Sequence, residues 1–159
     1  MKNRPQTFLH TEIKMRTFIF ATIIVTSLTN PCFANMRTST RNVFGGYNTQ
    51  DNEGNTYTSM PNVFGGQNVM GSNGFQATTT PNVFGGQNIM TSNGYQATTM
   101  PNVFGGYNTM GNNGQQFTSM PNVFGGYNTQ GSNGYQATST PNVFGGYNTS
   151  DNSDNDDNS

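Results

Sequence analysis

A 20-residue period repeats without a slip from residue 41 to residue 150. Copies begin at Arg41, Pro61, Pro81, Pro101, Pro121 and Pro141, and Asn-Val-Phe-Gly-Gly follows in every one. A fixed period of this size makes each copy one supersecondary unit that leans on its neighbours. It argues against a pocket assembled from distant parts of the chain. The reading divides the chain into an N-terminal extension with a signal peptide (1–34), a linker (35–40), six repeats with the last incomplete (41–150) and an acidic tail (151–159).

Within a unit, a Gly stands at position 14: Gly54, Gly74, Gly94, Gly114 and Gly134. Asn precedes it in all but Glu53-Gly54, and Asn-Gly suits a turn that needs positive φ. A run such as Val63 to Met70 lies on one side of this turn. Phe75 to Thr80, rich in strand formers, lies on the other. Proline breaks the chain at the next corner. Each unit therefore reads strand, turn, strand, turn. Two glycines, several Asn and Thr, and a recurrent proline exclude helix, and there is no 3.6-residue apolar period.

An all-β fold of tandem strand-turn-strand units follows, with two arrangements open. A short β-solenoid is preferred, because strict copy length would stack like residues on like. The alternative is an array of hairpins, as a meandering sheet or a closed ring. In the solenoid, Phe44, Phe64, Phe84, Phe104, Phe124 and Phe144 form a buried column that also carries self-association, with Val63, Val83, Val103 and Val123 beside it. Thr58, Thr78, Thr98, Thr118 and Thr138 form a second column. Burial in one unit falls short of the entropy of ordering 20 residues. A chain disordered in isolation, and ordered by assembly, is therefore a third state to consider.

The N-terminus reads as a secretory signal: Arg16 is followed by an apolar run from Phe18 to Leu28 and a Cys32-Phe33-Ala34 cleavage site. Cleavage after Ala34 would leave Asn35 first. Translation is expected to start at Met15, since residues 1–14 fit no signal region. Localisation is then outside the cytoplasm: secreted or at the cell surface, with the periplasm as the variant. The remainder has no Cys, His, Lys or Trp. Arg37 and Arg41 stand against Asp51, Glu53, Asp151, Asp154, Asp156 and Asp157. Two arginines cannot neutralise many phosphates, so nucleic acid is excluded as a partner. The apolar run is too short to span a bilayer, so no membrane insertion is expected after the signal is removed.

Residues 61–140 contain no charged side chain. In a stack, residues 20 apart become neighbours about 4.8 Å apart, where like charges repel and Asn, Gln and Phe can form ladders. The charged first copy and the tail after Ser150 would then keep the open ends from pairing. Catalysis has little to build on without His, Lys or Cys to activate a nucleophile, so an enzyme is not expected, and no cofactor or catalytic residue is assigned. The tail aspartates lack the spacing of a calcium loop, and no metal site is assigned.

A secretion signal followed by about six units of 20 residues rich in Gly, Asn, Gln, Ser and Thr resembles the curlin-like functional amyloid subunits of Gram-negative bacteria. The likeness covers 41–150 in architecture and composition, not in motif. It implies a secreted structural protein that self-associates, as a surface or biofilm-matrix component, with other matrix components as further partners. Two alternatives are a surface adhesin using Tyr47, Tyr107, Tyr127 and Tyr147 as sugar-stacking platforms, and an ice-binding solenoid using the Thr column.

Overall fold

A computed structural model describes residues 36–152. They form a closed antiparallel barrel. Its odd strands are β1 (Met36–Arg41), β3 (Thr56–Pro61), β5 (Gln76–Pro81), β7 (Gln96–Pro101), β9 (Gln116–Pro121) and β11 (Gln136–Pro141). Its even strands are β2 (Tyr47–Asp51), β4 (Gln67–Gly71), β6 (Gln87–Thr91), β8 (Tyr107–Gly111), β10 (Tyr127–Gly131) and β12 (Tyr147–Asp151). Each strand pairs with the next in the chain, and β12 pairs with β1 to close the ring. The all-β reading holds, and the architecture is a barrel rather than a solenoid. The stretch read as a linker, 35–40, supplies most of β1.

The reason lies in the turns. A solenoid needs parallel pairing between residues 20 apart, which requires a wide return path. Here the chain reverses twice per copy, each time within a few residues. In the first turn Gly45 donates its N–H to the Asn42 carbonyl at 3.3 Å, and Asn42 donates to Gly46 at 3.1 Å. In the second, Gly74 donates to Gly71 at 3.1 Å. Gly54, Gly74, Gly94, Gly114 and Gly134 take φ between 81° and 85°, as a type I turn closed by a left-handed residue requires. Tight reversals make consecutive strands antiparallel neighbours. Residues 20 apart then lie two strands apart, about 9–10 Å. The missing charges in 61–140 are therefore not explained by stacking of like on like.

Alternation along each strand sets the inside of the barrel. In β4, Gln67 and Val69 are buried while Asn68 and Met70 are exposed. Every strand contributes a hydroxyl or aliphatic side chain to a buried middle ring: Ser39, Thr49, Ser59, Val69, Thr79, Ile89, Thr99, Thr109, Ser119, Thr129, Ser139 and Thr149. Eight strands enclose a space that ordinary side chains fill, and twelve enclose a wider one. Aromatic side chains supply the extra volume. Tyr57 meets Phe75 edge-on at 6.0 Å, and Phe117 meets Tyr135 edge-on at 5.7 Å. Small residues sit opposite the large ones: a β-carbon on Gly71 would stand 2.9 Å from the Tyr57 ring.

Tyr95 is one polar exception in this packing. Its hydroxyl is buried over Gly111 and has no hydrogen-bond partner among the described residues. Burial pushes its pKa up to about 12, from a normal value of 10.0. Burial penalises the ionised form only, so with the folded-state pKa above the unfolded one the fold loses stability as pH rises from 10 to 12, and this penalty is absent below pH 10. Tyr95→Phe should therefore flatten the alkaline loss of stability in that window. At pH 7 it should be neutral or stabilising by about 1 kcal/mol, because an unpaired hydroxyl is removed. Thermal melts from pH 7 to 12 check both; an unchanged alkaline limb would show that Tyr95 does not ionise with unfolding.

Candidate interaction surface

All six Asn-Val-Phe-Gly-Gly runs turn at the same end of the barrel, because each joins an odd strand to the following even one. Three of the five residues in the run have placements that follow from their chemistry. Asn is a clamp. The Asn82 amide oxygen accepts from Phe84 N and Gly86 N, both at 3.0 Å. Its amide nitrogen donates to the Thr99 carbonyl at 2.9 Å on the next odd strand. Asn42, Asn62, Asn102, Asn122 and Asn142 repeat this arrangement. The first glycine has positive φ, 82° at Gly85. The second has no room for a side chain, since a β-carbon on Gly86 would overlap the Thr99 carbonyl.

A second polar device locks each turn to its neighbour. The hydroxyl at position 19 accepts from the backbone N–H at position 7 of the same copy. Ser59 does so from Tyr47 at 2.8 Å, Thr99 from Gln87 at 2.7 Å and Ser139 from Tyr127 at 2.9 Å. This occurs where the ladder between the two strands has ended. A buried backbone group left by the diverging strands is thereby paired.

Val and Phe have no such internal role. The six valines at the tips are 93–94% exposed, and Phe44, Phe64, Phe84, Phe104, Phe124 and Phe144 are 63–72% exposed. The expected buried Phe column, with Val63, Val83, Val103 and Val123, is instead a crown of solvent-facing tips. A type I turn projects its two central residues away from the strands, so their hydrophobicity finds no interior to enter. Exposed prolines at the ends of the odd strands extend the crown: Pro81 touches the position of Gly65, and Pro101 that of Gly85. Only between copies six and one does Arg41 take the place of proline.

The crown is large for a monomer. Six phenyl rings exposed to this extent present roughly 600–1,000 Å² of apolar surface, against a usual largest patch of about 300–600 Å². From Pro61 to Thr140 the barrel carries no charge to oppose close approach.

The other sequence-derived surfaces fall elsewhere. Tyr47 and Tyr107 are buried, and Tyr127 and Tyr147 are half-buried in the same inward layer, so these rings are not an external stacking row. The Thr column lies on the outer wall, but successive members sit on alternate strands of a closed curve, where ice recognition would want a flat array. No group of three or more His, Cys, Asp or Glu side chains is arranged to hold a metal among the described residues.

The charged residues about the first copy and the start of the tail do not keep two edges apart; they meet. Arg37 of β1 and Asp151 of β12 form an ion pair, Nη1 to Oδ2 3.3 Å, with side chains 2% and 0% exposed. Asp51 lies opposite Arg37 on β2 and is also buried. This cluster and the Asn clamps escaped the sequence reading. The clamp had a signal, since Asn opening a turn hydrogen-bonds its own backbone two residues on. The ionic cluster had none short of knowing that the chain closes. The signal segment with its Ala34 cleavage site, and Asp154, Asp156 and Asp157 of the tail, lie outside the described residues. Comparison with known protein families, with curated proteins and with solved structures finds no match.

Proposed function

We propose that this chain is a secreted structural repeat protein that self-associates, as a component of a cell surface or extracellular matrix. The observation that carries the reading is the crown. Six copies of one uncharged Val-Phe tip are kept on the outside of a fold that has no structural use for them. Exposed apolar surface of this extent marks association rather than solvation. A second copy is the natural counterpart, because two crowns facing each other engage all their tips at once by symmetry. The phenyl area alone reaches the roughly 800 Å² per partner of a standard interface.

The form of association differs from a cross-β stack. A closed barrel has no free strand edge to template another chain, so folded rings meet through side chains at the crown. The outer wall fits an aqueous setting. Its strands have five or six residues, short of the about nine to eleven of a membrane-crossing strand, and Asn48, Gln76 and Asn108 face outward.

Sedimentation velocity over a hundredfold concentration range tests this. The unaltered protein should show concentration-dependent association. Phe84→Ser with Phe104→Ser should weaken it at least tenfold while stability changes by no more than about 0.5 kcal/mol per site, as for other exposed positions. A protein that stays monomeric throughout removes the reading. A loss of several kcal/mol from either Phe substitution would mean the rings are packed after all.

A further inference from the structure

We propose that the slot between β12 and β2 is a strand-binding site, and that it accepts β1 of a second copy of this chain as well as its own. The seam is chemically the same joint as those inside the chain. Thr38 pairs with Asn148, Arg37 with Thr149 and Met36 with Ser150. That register matches Thr58 with Asn48, Tyr57 with Thr49 and Thr56 with Gln50 between β2 and β3. Asn142 clamps the Ser39 carbonyl at 2.8 Å as Asn42 clamps that of Ser59 at 2.9 Å. What the seam lacks is the turn that ties every other neighbouring pair together. β1 is thus held covalently on one side only, through the turn at 42–46.

Charge singles out this strand and this slot. At the position where the other odd strands point Tyr57, Ala77, Ala97, Phe117 or Ala137 inward, β1 points Arg37. At the facing position of the even strands, only the two that flank the slot carry carboxylates, Asp51 and Asp151. The others carry Gly71, Thr91, Gly111 and Gly131. Only this slot has a carboxylate on both flanking strands; the slots of β3 and β11 have one each, and in those of β5, β7 and β9 Arg37 would be buried without a counter-charge. Near-identical repeats offer β1 other slots; only its own sets carboxylates on both sides of Arg37. The same code admits β1 from another copy, because every contact it makes there is reproduced. A trade of terminal strands keeps each barrel twelve-stranded and filled, with the turn at 42–46 opening as the hinge. It links rings without exposing an edge.

Disulfide trapping decides between strand exchange and association of intact rings. Thr38→Cys with Asn148→Cys places two exposed cysteines across the seam, in a chain whose Cys32 is replaced by serine. Directly paired strand positions are close enough to bridge. The protein is refolded at low and high concentration and oxidised, and the whole sample and its isolated dimer fraction are each run on a denaturing gel without reductant. Exchange gives a covalent dimer. Its ratio to the internally bridged monomer should rise on the order of tenfold for a tenfold higher refolding concentration, because closure within one chain is independent of concentration. A dimer fraction that yields only internally bridged monomer overturns the exchange and leaves association through the crown standing. Absence of any dimer overturns the exchange as well. Met36→Cys with Ser150→Cys, the neighbouring seam pair, repeats the measurement if the first variant does not fold.

Discussion

Arg37→Ala should destabilise the barrel by about 3–5 kcal/mol, the loss expected when one partner of a buried ion pair is removed and the other is left uncompensated. The residue is 3% exposed, and its removal strands Asp151, whose side chain is fully covered. Tyr135 would remain near that carboxylate, its hydroxyl donating at 3.4 Å, but a phenol does not neutralise a charge. Urea denaturation measures the effect. The informative control rebuilds the seam from the chain's own repeats. Ala77 opposite Thr91 is the neutral version of Arg37 opposite Asp51, so Arg37→Ala with Asp51→Thr and Asp151→Gly leaves no buried charge. Most of the lost stability should return. If the triple variant stays as unstable as the single one, the cluster contributes something besides charge compensation.

Gly86→Ala should be the most damaging single methyl in a turn, at roughly 2–4 kcal/mol. The added carbon would overlap the Thr99 carbonyl and stand 2.6 Å from its carbonyl carbon and 2.8 Å from its hydroxyl. These are atoms of a neighbouring strand, and that carbonyl already accepts from Asn82. None can rotate away. Gly94→Ala isolates the other kind of glycine: its φ is +84° but the space around it is open. It should cost only the left-handed strain, about 1–2 kcal/mol. Denaturant midpoints for the two variants should rank in that order. Equal losses would mean that the strands part easily to admit the methyl, and that their close approach does not account for the second glycine of the repeat.

The exposed phenylalanines show how a repeated motif can mislead. Phe in every copy, beside Val and before two glycines, reads as a core position because hydrophobic residues usually recur where they are buried. The turn overrides this. Asn at the head of the run closes a tight turn through its own amide, Gly follows in the left-handed region, and the two residues between are pushed to the apex. Residues 56–61 are different: a strand points alternate side chains to opposite faces, and Tyr57 and Ser59 are buried while Thr56 and Pro61 are not. Alternation reports on the strand itself, whereas the tips depend on which way a turn projects.

Two parts of this protein followed from local sequence. The 20-residue period and its turn residues determined an all-β chain of short strands, because glycine, proline and Asn-Gly act within a few residues of where they stand. Local chemistry also determined that the chain reverses twice per copy. Whether twelve such strands stack, meander or close is a non-local matter. It depends on twist accumulated over the whole sheet and on one pairing between strands more than a hundred residues apart. The same holds for the charges. Asp51 and Asp151 read alone as solvated ends, and only closure brings Arg37 between them, where burial turns three isolated surface charges into the lock of the ring.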